Sequence, residues 1–246
     1  VTLRGVTSPC LEAGVGPEGV VFVHGNPETS AIWQPLGDEL NARGVADIVL
    51  LSPPGFGTPS PDGWSATQSE YAEWLVTEIE RFESPVDIVG HDWGAPVAWH
   101  AALWRPDLFP AVCAMSVPYS PPGYVDVLSA LEKLGINDFY MQYFQKPGVA
   151  EAEMQQDIRT ALRRIYYTAG GDLTEPGKGF ARLPDGTLLS NTVDPPKLPA
   201  WLSEADLDYY AGEFARAGFR GGFNWYRNLR RNWELSGPWR GQPIRQ

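Results

Sequence analysis

The chain has 246 residues, 43% of them hydrophobic, enough for one large core or for a core plus a lid. Its 30 acidic and 19 basic residues give a formal net charge of −11, which argues against a nucleic-acid surface. Cys10 and Cys113 have neither disulfide nor metal spacing, and Val1-Thr2-Leu3-Arg4 opens no signal peptide or membrane span, so the expectation is a cytoplasmic protein without metal or cofactor.

Residues 20–24 are an apolar β-branched run that passes into His24-Gly25-Asn26-Pro27, the type of turn that presents a backbone N–H to a developing oxyanion or leaving group. A second strand is expected over 47–52. The loop after it, Pro53-Pro54-Gly55-Phe56-Gly57, lacks the third glycine and the lysine of phosphate-binding turns and reads as a structural rim loop. Ser65-Ala66-Thr67-Gln68 resembles a capping box, and Tyr71, Trp74, Leu75, Ile79 and Phe82 then fall on one helical stripe that reads as core.

A third strand over 86–90 leads into Gly90-His91-Asp92-Trp93-Gly94, directly ahead of a helical pattern and with aspartate where a serine hydrolase carries serine. Glycines at 90 and 94 let the backbone pack around a turn tight enough to hold its central residue above the sheet. A carboxylate there sits beside the first free N–H groups of the next helix, which favour its charged form. It can then attack an electrophilic carbon and form an enzyme ester. Taken alone, Asp92 reads equally well as the N-cap of a helix beginning at Trp93. The Asn26 turn breaks the tie, because the backbone N–H groups of Asn26 and Trp93 fall within one turn of two strand ends on the same rim of a parallel sheet.

Residues 111–117 form a fourth strand, and after Pro118 the pattern changes to helices without strands. Val125, Leu128 and Leu131 suggest one helix, 150–167 a second, and 207–217 a third introduced by the capping box Ser203-Glu204-Ala205-Asp206. Residues 168–199, rich in Gly, Pro, Thr and Asp, make a long irregular excursion of a length that is usually functional or mobile. Arg227, Arg230 and Arg231 are interspersed with apolar residues and read as a solvated helix face. The whole is an α/β pattern, a mostly parallel doubly wound sheet with a helical cap: core over 1–118, cap over 119–240, and 241–246 beginning a return to the core.

On these residues the sequence resembles the epoxide hydrolase and haloalkane dehalogenase branch of the α/β-hydrolase family, over nearly the whole chain. Residues 24–27 and 90–94 carry the resemblance in the core. In the cap, Tyr140-Met141-Gln142-Tyr143-Phe144-Gln145-Lys146-Pro147-Gly148-Val149-Ala150-Glu151 resembles the cap segment of soluble epoxide hydrolases, and Asn224-Trp225-Tyr226-Arg227-Asn228 resembles their second tyrosine segment. The resemblance implies an α/β-hydrolase fold and Asp92 as nucleophile. It also implies that Tyr140 and Tyr226 hydrogen-bond the epoxide oxygen and give up a proton as the ring opens, with Asn26 and Trp93 holding the oxyanion or leaving group. A phenol, with a pKa of about 10, keeps its proton at neutral pH and matches a departing alkoxide. Tyr143, one turn from Tyr140, is the rival for the first of these roles. With Phe139, Phe144, Trp201, Phe223 and Trp225 in the cap, the implied partner is a small apolar epoxide, with no nucleic acid or membrane.

Two departures stand beside the matches. Epoxide hydrolases usually carry an aromatic residue at the position of Asn26, whereas many haloalkane dehalogenases carry Asn there and use its amide with a Trp beside the nucleophile, so dehalogenation is the alternative reaction. The histidine that activates water in this family follows the cap. Here His24 and His91 read as structural, and His100 lies eight residues past Asp92, roughly 12 Å along a helix axis. The chain ends at Pro243-Ile244-Arg245-Gln246, where the next core strand is expected, so the sequence reads as lacking the last two strand–helix units, roughly 60 residues. A non-catalytic binding protein is a further alternative if that histidine is truly absent.

Overall fold

The computed structural model describes the backbone of residues 2–3, 6–7 and 10–13, and residues 19–246 apart from 45–46, 58–59, 61, 81 and 83. Two short strands, β1 (Thr2–Leu3) and β2 (Val6–Thr7), pair antiparallel. The main sheet contains β3 (Cys10–Ala13), β4 (Gly19–Val23), β5 (Asp47–Leu51), β6 (Val86–His91) and β7 (Val112–Met115), in the order β3-β5-β4-β6-β7. β3 runs antiparallel to β5 and the other pairs are parallel. The four apolar runs seen in the sequence are β4 to β7; the three strands ahead of them are too short and mixed to show a period.

Val21, Phe22 and Val23 are consecutive and all buried, as are Ile48 to Leu51. Because successive strand residues point to opposite faces, both faces of the sheet are covered. On one of them Phe22, Ile48 and Leu50 cluster with Trp33, whose ring lies 5.2 Å from that of Phe22. The helices that accompany the sheet are α1 (Gln34–Ala42), whose Gly37 lies against Ile48 and Leu50 on this face, α2 (Gln68–Ile79) and α3 (Gly94–Trp104). Tyr71, Trp74, Leu75 and Ile79 of α2 are buried as their spacing requires, whereas Phe82 lies beyond the end of the helix. The cap of α2 is Thr67, whose hydroxyl accepts the Glu70 N–H, and not Ser65. Ser65 instead donates its backbone N–H and its hydroxyl to Glu70 Oε2, both at 2.6 Å.

The chain divides into two compact units, 1–124 with 231–246, and 125–230. The second unit is shorter than the expected 119–240. Residues 119–124 and 231–240 belong with the sheet, where the Tyr119 hydroxyl donates to Gln242 O and Trp233 Nε1 donates to Gly123 O.

The second unit is helical: α4 (Val127–Lys133), α5 (Tyr140–Tyr143), α6 (Val149–Gln155), α7 (Ile158–Ala169), α8 (Glu204–Ala217) and α9 (Arg220–Arg227), while most of α10 (Leu229–Leu235) falls in the first unit. The single helix expected over 150–167 is two, because Asp157 Oδ1 accepts the Thr160 N–H at 3.0 Å and starts α7 afresh. The α8 capping box is present, with Ser203 Oγ accepting from Asp206 N at 3.1 Å and Asp206 Oδ2 accepting from Ser203 N at 2.9 Å. The long excursion between α7 and α8 contains one 3-10 turn, Leu189–Asn191. It is tied down by Arg164, which donates to Leu189 O and Thr192 O, and by Glu153, which accepts the N–H groups of Leu188 and Leu189. Among the described residues no helix is long and apolar enough to cross a membrane.

Candidate active site

Asp92 and Trp93 make the whole connection between β6 and α3. Asp92 has φ +48°, a left-handed conformation that aspartate tolerates better than most residues. The turn closes because its neighbours have no side chains. A Cβ on Gly90 would lie 2.3 Å from Gly94 O, one on Gly94 would lie 2.1 Å from Val23 O, and one on Gly25 would lie 2.3 Å from Asp92 Oδ1.

Asp92 Oδ1 accepts the backbone N–H of Asn26 at 2.8 Å, and the Trp93 N–H is the second backbone donor to this carboxylate. The two N–H groups singled out in the sequence therefore converge on Asp92. The helix itself begins one residue later than the N-cap reading needs, and it has no side-chain cap. Burial pushes the Asp92 carboxyl up to about 6, and the nearby Glu28 carboxylate adds to the rise, against the lowering by the two N–H groups. The N–H groups favour the charged form as expected, but the loss of water outweighs them. At pH 7 the group is still mostly ionised.

Glu28 is the residue that sequence reasoning missed. Its Oε2 accepts the Gly25 N–H at 2.9 Å and its Oε1 pairs with His91 Nδ1 at 2.8 Å, so it ties the Asn26 turn to the end of β6. The hydrogen bond to Glu28 raises the His91 pKa. A carboxylate three residues beyond Gly25 is visible in the sequence, but its partner 63 positions on from Glu28 is not. His24 is buried, with Nδ1 2.8 Å from Gly25 O and its ring edge-on to Phe56, and burial lowers its pKa to about 4. His100 Nδ1 donates to Pro96 O at 2.7 Å within α3. The Asn26 side chain, on which the dehalogenase alternative depends, has a buried Oδ1 without a hydrogen-bond partner.

In the helical unit, α5 and α9 bring Tyr140 and Tyr226 together with ring centroids 5.5 Å apart at 77°. Phe144 packs on both, at 5.6 and 4.8 Å, and Phe223 lies 4.4 Å from Phe144. Phe180, from the excursion, meets Tyr140 edge-on at 5.6 Å. Tyr143 is turned elsewhere: its hydroxyl donates to Glu153 at 2.6 Å, and burial together with that carboxylate raises its pKa. Of the cap aromatics, Phe144, Phe223 and Trp225 are buried, while Trp201 is exposed and donates to Asp172. Arg227 is not on a solvated face, because its guanidinium is enclosed and paired with Glu151; Arg230 and Arg231 do stay exposed. Among the described residues no group of three or more His, Cys, Asp or Glu could hold a metal ion.

A carboxylate raised on a strand–turn–helix above a mostly parallel sheet, with two backbone N–H groups against it, defines an α/β-hydrolase. Comparison with known proteins agrees: residues 20–243 match the alpha/beta hydrolase family, and the chain belongs to it. It is an epoxide hydrolase-like member. It is 36% identical to epoxide hydrolase A of Mycobacterium tuberculosis, over 99% of this chain and 77% of that protein. It is 37% identical to epoxide hydrolase 2 of Siraitia grosvenorii, over 100% and 76%. Among solved structures, epoxide hydrolase A from Mycobacterium thermoresistibile superposes with a TM-score of 0.90 at 34% identity, covering 99% of this chain and 78% of that one.

Proposed function

We propose that the protein opens a small apolar epoxide through an ester on Asp92. A carboxylate oxygen of Asp92 forms a bond to an epoxide carbon as the ring C–O bond breaks, and the departing oxygen takes a proton from the phenol of Tyr140 or Tyr226. Water then adds to the Asp92 carboxyl carbon, and its proton goes to the phenolate left by the first step. The negative charge that develops on the former Oδ1 is held by the Asn26 and Trp93 N–H groups, and collapse releases a diol and restores the carboxylate. The observation that supports this reading is the 2.8 Å hydrogen bond from the Asn26 N–H to Asp92 Oδ1, the atom that would bear the charge. The names of the relatives supply the reaction class. Tyr143 is passed over for the proton-donor role because its hydroxyl is committed to Glu153.

The test is covalent. After a short incubation with styrene oxide and an acid quench, one substrate mass should appear on the peptide containing Asp92, and neither adduct nor diol should form with Asp92→Asn. Diol production that persists in Asp92→Asn would remove the nucleophile and the mechanism with it. Halide release from a bromoalkane decides the alternative reaction. Phenols protonate an alkoxide but give little to bromide, so epoxide alkylation should exceed halide release in the native protein and fall in the Tyr140→Phe/Tyr226→Phe variant. Faster halide release that is indifferent to both tyrosines would make the protein a dehalogenase.

A further inference from the structure

We propose that Arg227 is a positioning residue for the phenol pair: its guanidinium fixes the turn after α5 against α9 so that Tyr140 and Tyr226 present their hydroxyls together. This rests on the reading of those tyrosines as proton donors.

Arg227 directly follows Tyr226, and all five of its side-chain N–H donors have partners. Nε donates to Phe144 O at 2.9 Å and Nη2 to Lys146 O at 3.4 Å. Nη1 and Nη2 straddle the Glu151 carboxylate at 2.7 and 3.0 Å, and Nη1 also reaches Asn224 Oδ1 at 3.1 Å. The two charged side chains are only 13% and 12% exposed, so this is an enclosed pair and not a surface contact screened by water.

The ties end beside the reacting side chains. Phe144, whose carbonyl Arg227 holds, donates its own N–H to Tyr140 O at 3.0 Å and thereby closes the turn that carries Tyr140. From the same turn Gln145 Nε2 reaches back to Tyr226 O at 2.8 Å and to Met141 O at 2.8 Å. Glu151 also fixes the far end of the turn by accepting the Gly148 N–H at 2.9 Å. Two polar bridges thus join the α5 turn to α9, one at the Tyr226 carbonyl and one at the next side chain. Only a planar fork can hold a carboxylate and two backbone carbonyls at once; a lysine is a single point charge and cannot. An apolar pair of equal volume would also stabilise this contact, but it would not fix the register of one backbone on the other. Register matters because a misplacement of about 1 Å can cost on the order of 10²-fold in rate.

The experiment measures the rate at which styrene oxide alkylates Asp92 in Arg227→Lys and in Glu151→Gln, each in the native background and in Tyr140→Phe/Tyr226→Phe, with near-ultraviolet circular dichroism as the folding control. The expected result is a loss of about 10- to 100-fold in the native background, with KM little changed, and no further loss when both phenols are absent. If Arg227→Lys does not fold, Glu151→Gln carries the same expectation, because it keeps the acceptor for Gly148 while discharging the pair. Full alkylation rate in the folded variants, or an equal loss in the background lacking both phenols, would overturn the positioning role. A double-phenylalanine variant that reacts as fast as the native protein would instead overturn the reading of the tyrosines as proton donors.

Discussion

The turn at Asp92 and the pair Tyr140–Tyr226 place their side-chain oxygens by opposite means. At Asp92 the backbone does the work. Three positions without side chains bring β4, β6 and α3 so close that the carboxylate rests on a neighbouring N–H, and almost nothing within reach can vary. At the tyrosines the local backbone is ordinary helix. The two rings meet where side chains of Arg227 and Gln145 and the ring of Phe144 join segments about 80 residues apart. The first arrangement is rigid and intolerant of added atoms. The second is adjustable, and it is sensitive to the loss of polar ties.

The sharpest way to break this comparison is to add one carbon to each region. Gly94→Ala should be destabilising by about 3 kcal/mol, the upper end for overpacking, because its Cβ would meet the backbone carbonyl oxygen of Val23 at 2.1 Å, and a carbonyl in a central strand cannot move aside. Gly212→Ala, on an exposed face of α8 with nothing within 4 Å, should stabilise by about 0.5–1 kcal/mol through the lost freedom of the unfolded chain. Thermal unfolding of both variants checks the contrast. Equal tolerance at the two positions would mean that the Asp92 turn is looser than its geometry implies.

A smaller effect comes from the charge held in the rigid turn. The Asp92 carboxyl is raised from its unfolded value of 3.8 to about 6, so the native state binds the extra proton between those values and stability falls as pH rises through that window. Above pH 6 the cost of the buried charge is fully present. Asp92→Asn should therefore be more stable than the native protein at pH 7.5, by about 2 kcal/mol after allowance for the partial exposure of the residue, and no more stable at pH 4. His24 works in the other direction. Its pKa is lowered to about 4, so the stability it contributes is present above pH 6.5 and is lost as pH falls toward 4. Melting temperatures of both proteins between pH 4 and 8 separate the two, and a gain from Asp92→Asn that does not depend on pH would place its origin outside charge burial.

The same contrast explains what could be read in the sequence. The Asp92 turn was legible because its requirements are local: Gly90, Asp92 and Gly94 lie within five residues, each apolar run ahead of a turn is a strand, and Asn26 ends one of them. Even there the balance of charge was not legible, since burial is a property of the assembled sheet and Glu28 meets His91 only after folding. Tyr140 and Tyr226 could be singled out only by resemblance to a family, because nothing in the spacing of ten tyrosines marks two of them as neighbours. Arg227 was misread for a related reason. A cation among apolar residues on a helix looks solvated until the carboxylate and carbonyls that enclose it arrive from 76 to 83 positions away. The break at Asp157 was hidden by the continuous helical character of the residues on either side of it.

Within the adjustable region, Tyr143→Phe separates packing from chemistry. Its hydroxyl donates to Glu153 at 2.6 Å, and that carboxylate also receives the Leu188 and Leu189 N–H groups, so the phenol helps to hold the excursion. Loss of one hydrogen bond to a charged group should lower stability by about 1.5 kcal/mol. Asp92 alkylation should be unchanged. A fall in alkylation as large as that of Tyr140→Phe, without loss of stability, would exchange the roles of the two tyrosines.

The smallest expected effect is at Glu28, and it asks whether the rigid region can be tuned by charge alone. Glu28 raises the pKa of Asp92 directly, and it also raises the pKa of His91, whose charge lowers that of Asp92, with the direct effect the larger of the two. Glu28→Gln keeps the Gly25 N–H satisfied through an amide oxygen while removing the negative charge. The acid limb of the alkylation rate should then move below its native position near pH 6, and the His91 pKa, followed by proton magnetic resonance, should fall. The plateau rate above pH 7 should change little, because the N–H groups of Asn26 and Trp93 remain in place. An acid limb that moves upward would mean that the loss of the protonated His91 outweighs the loss of the carboxylate, reversing the order of the two charges around Asp92.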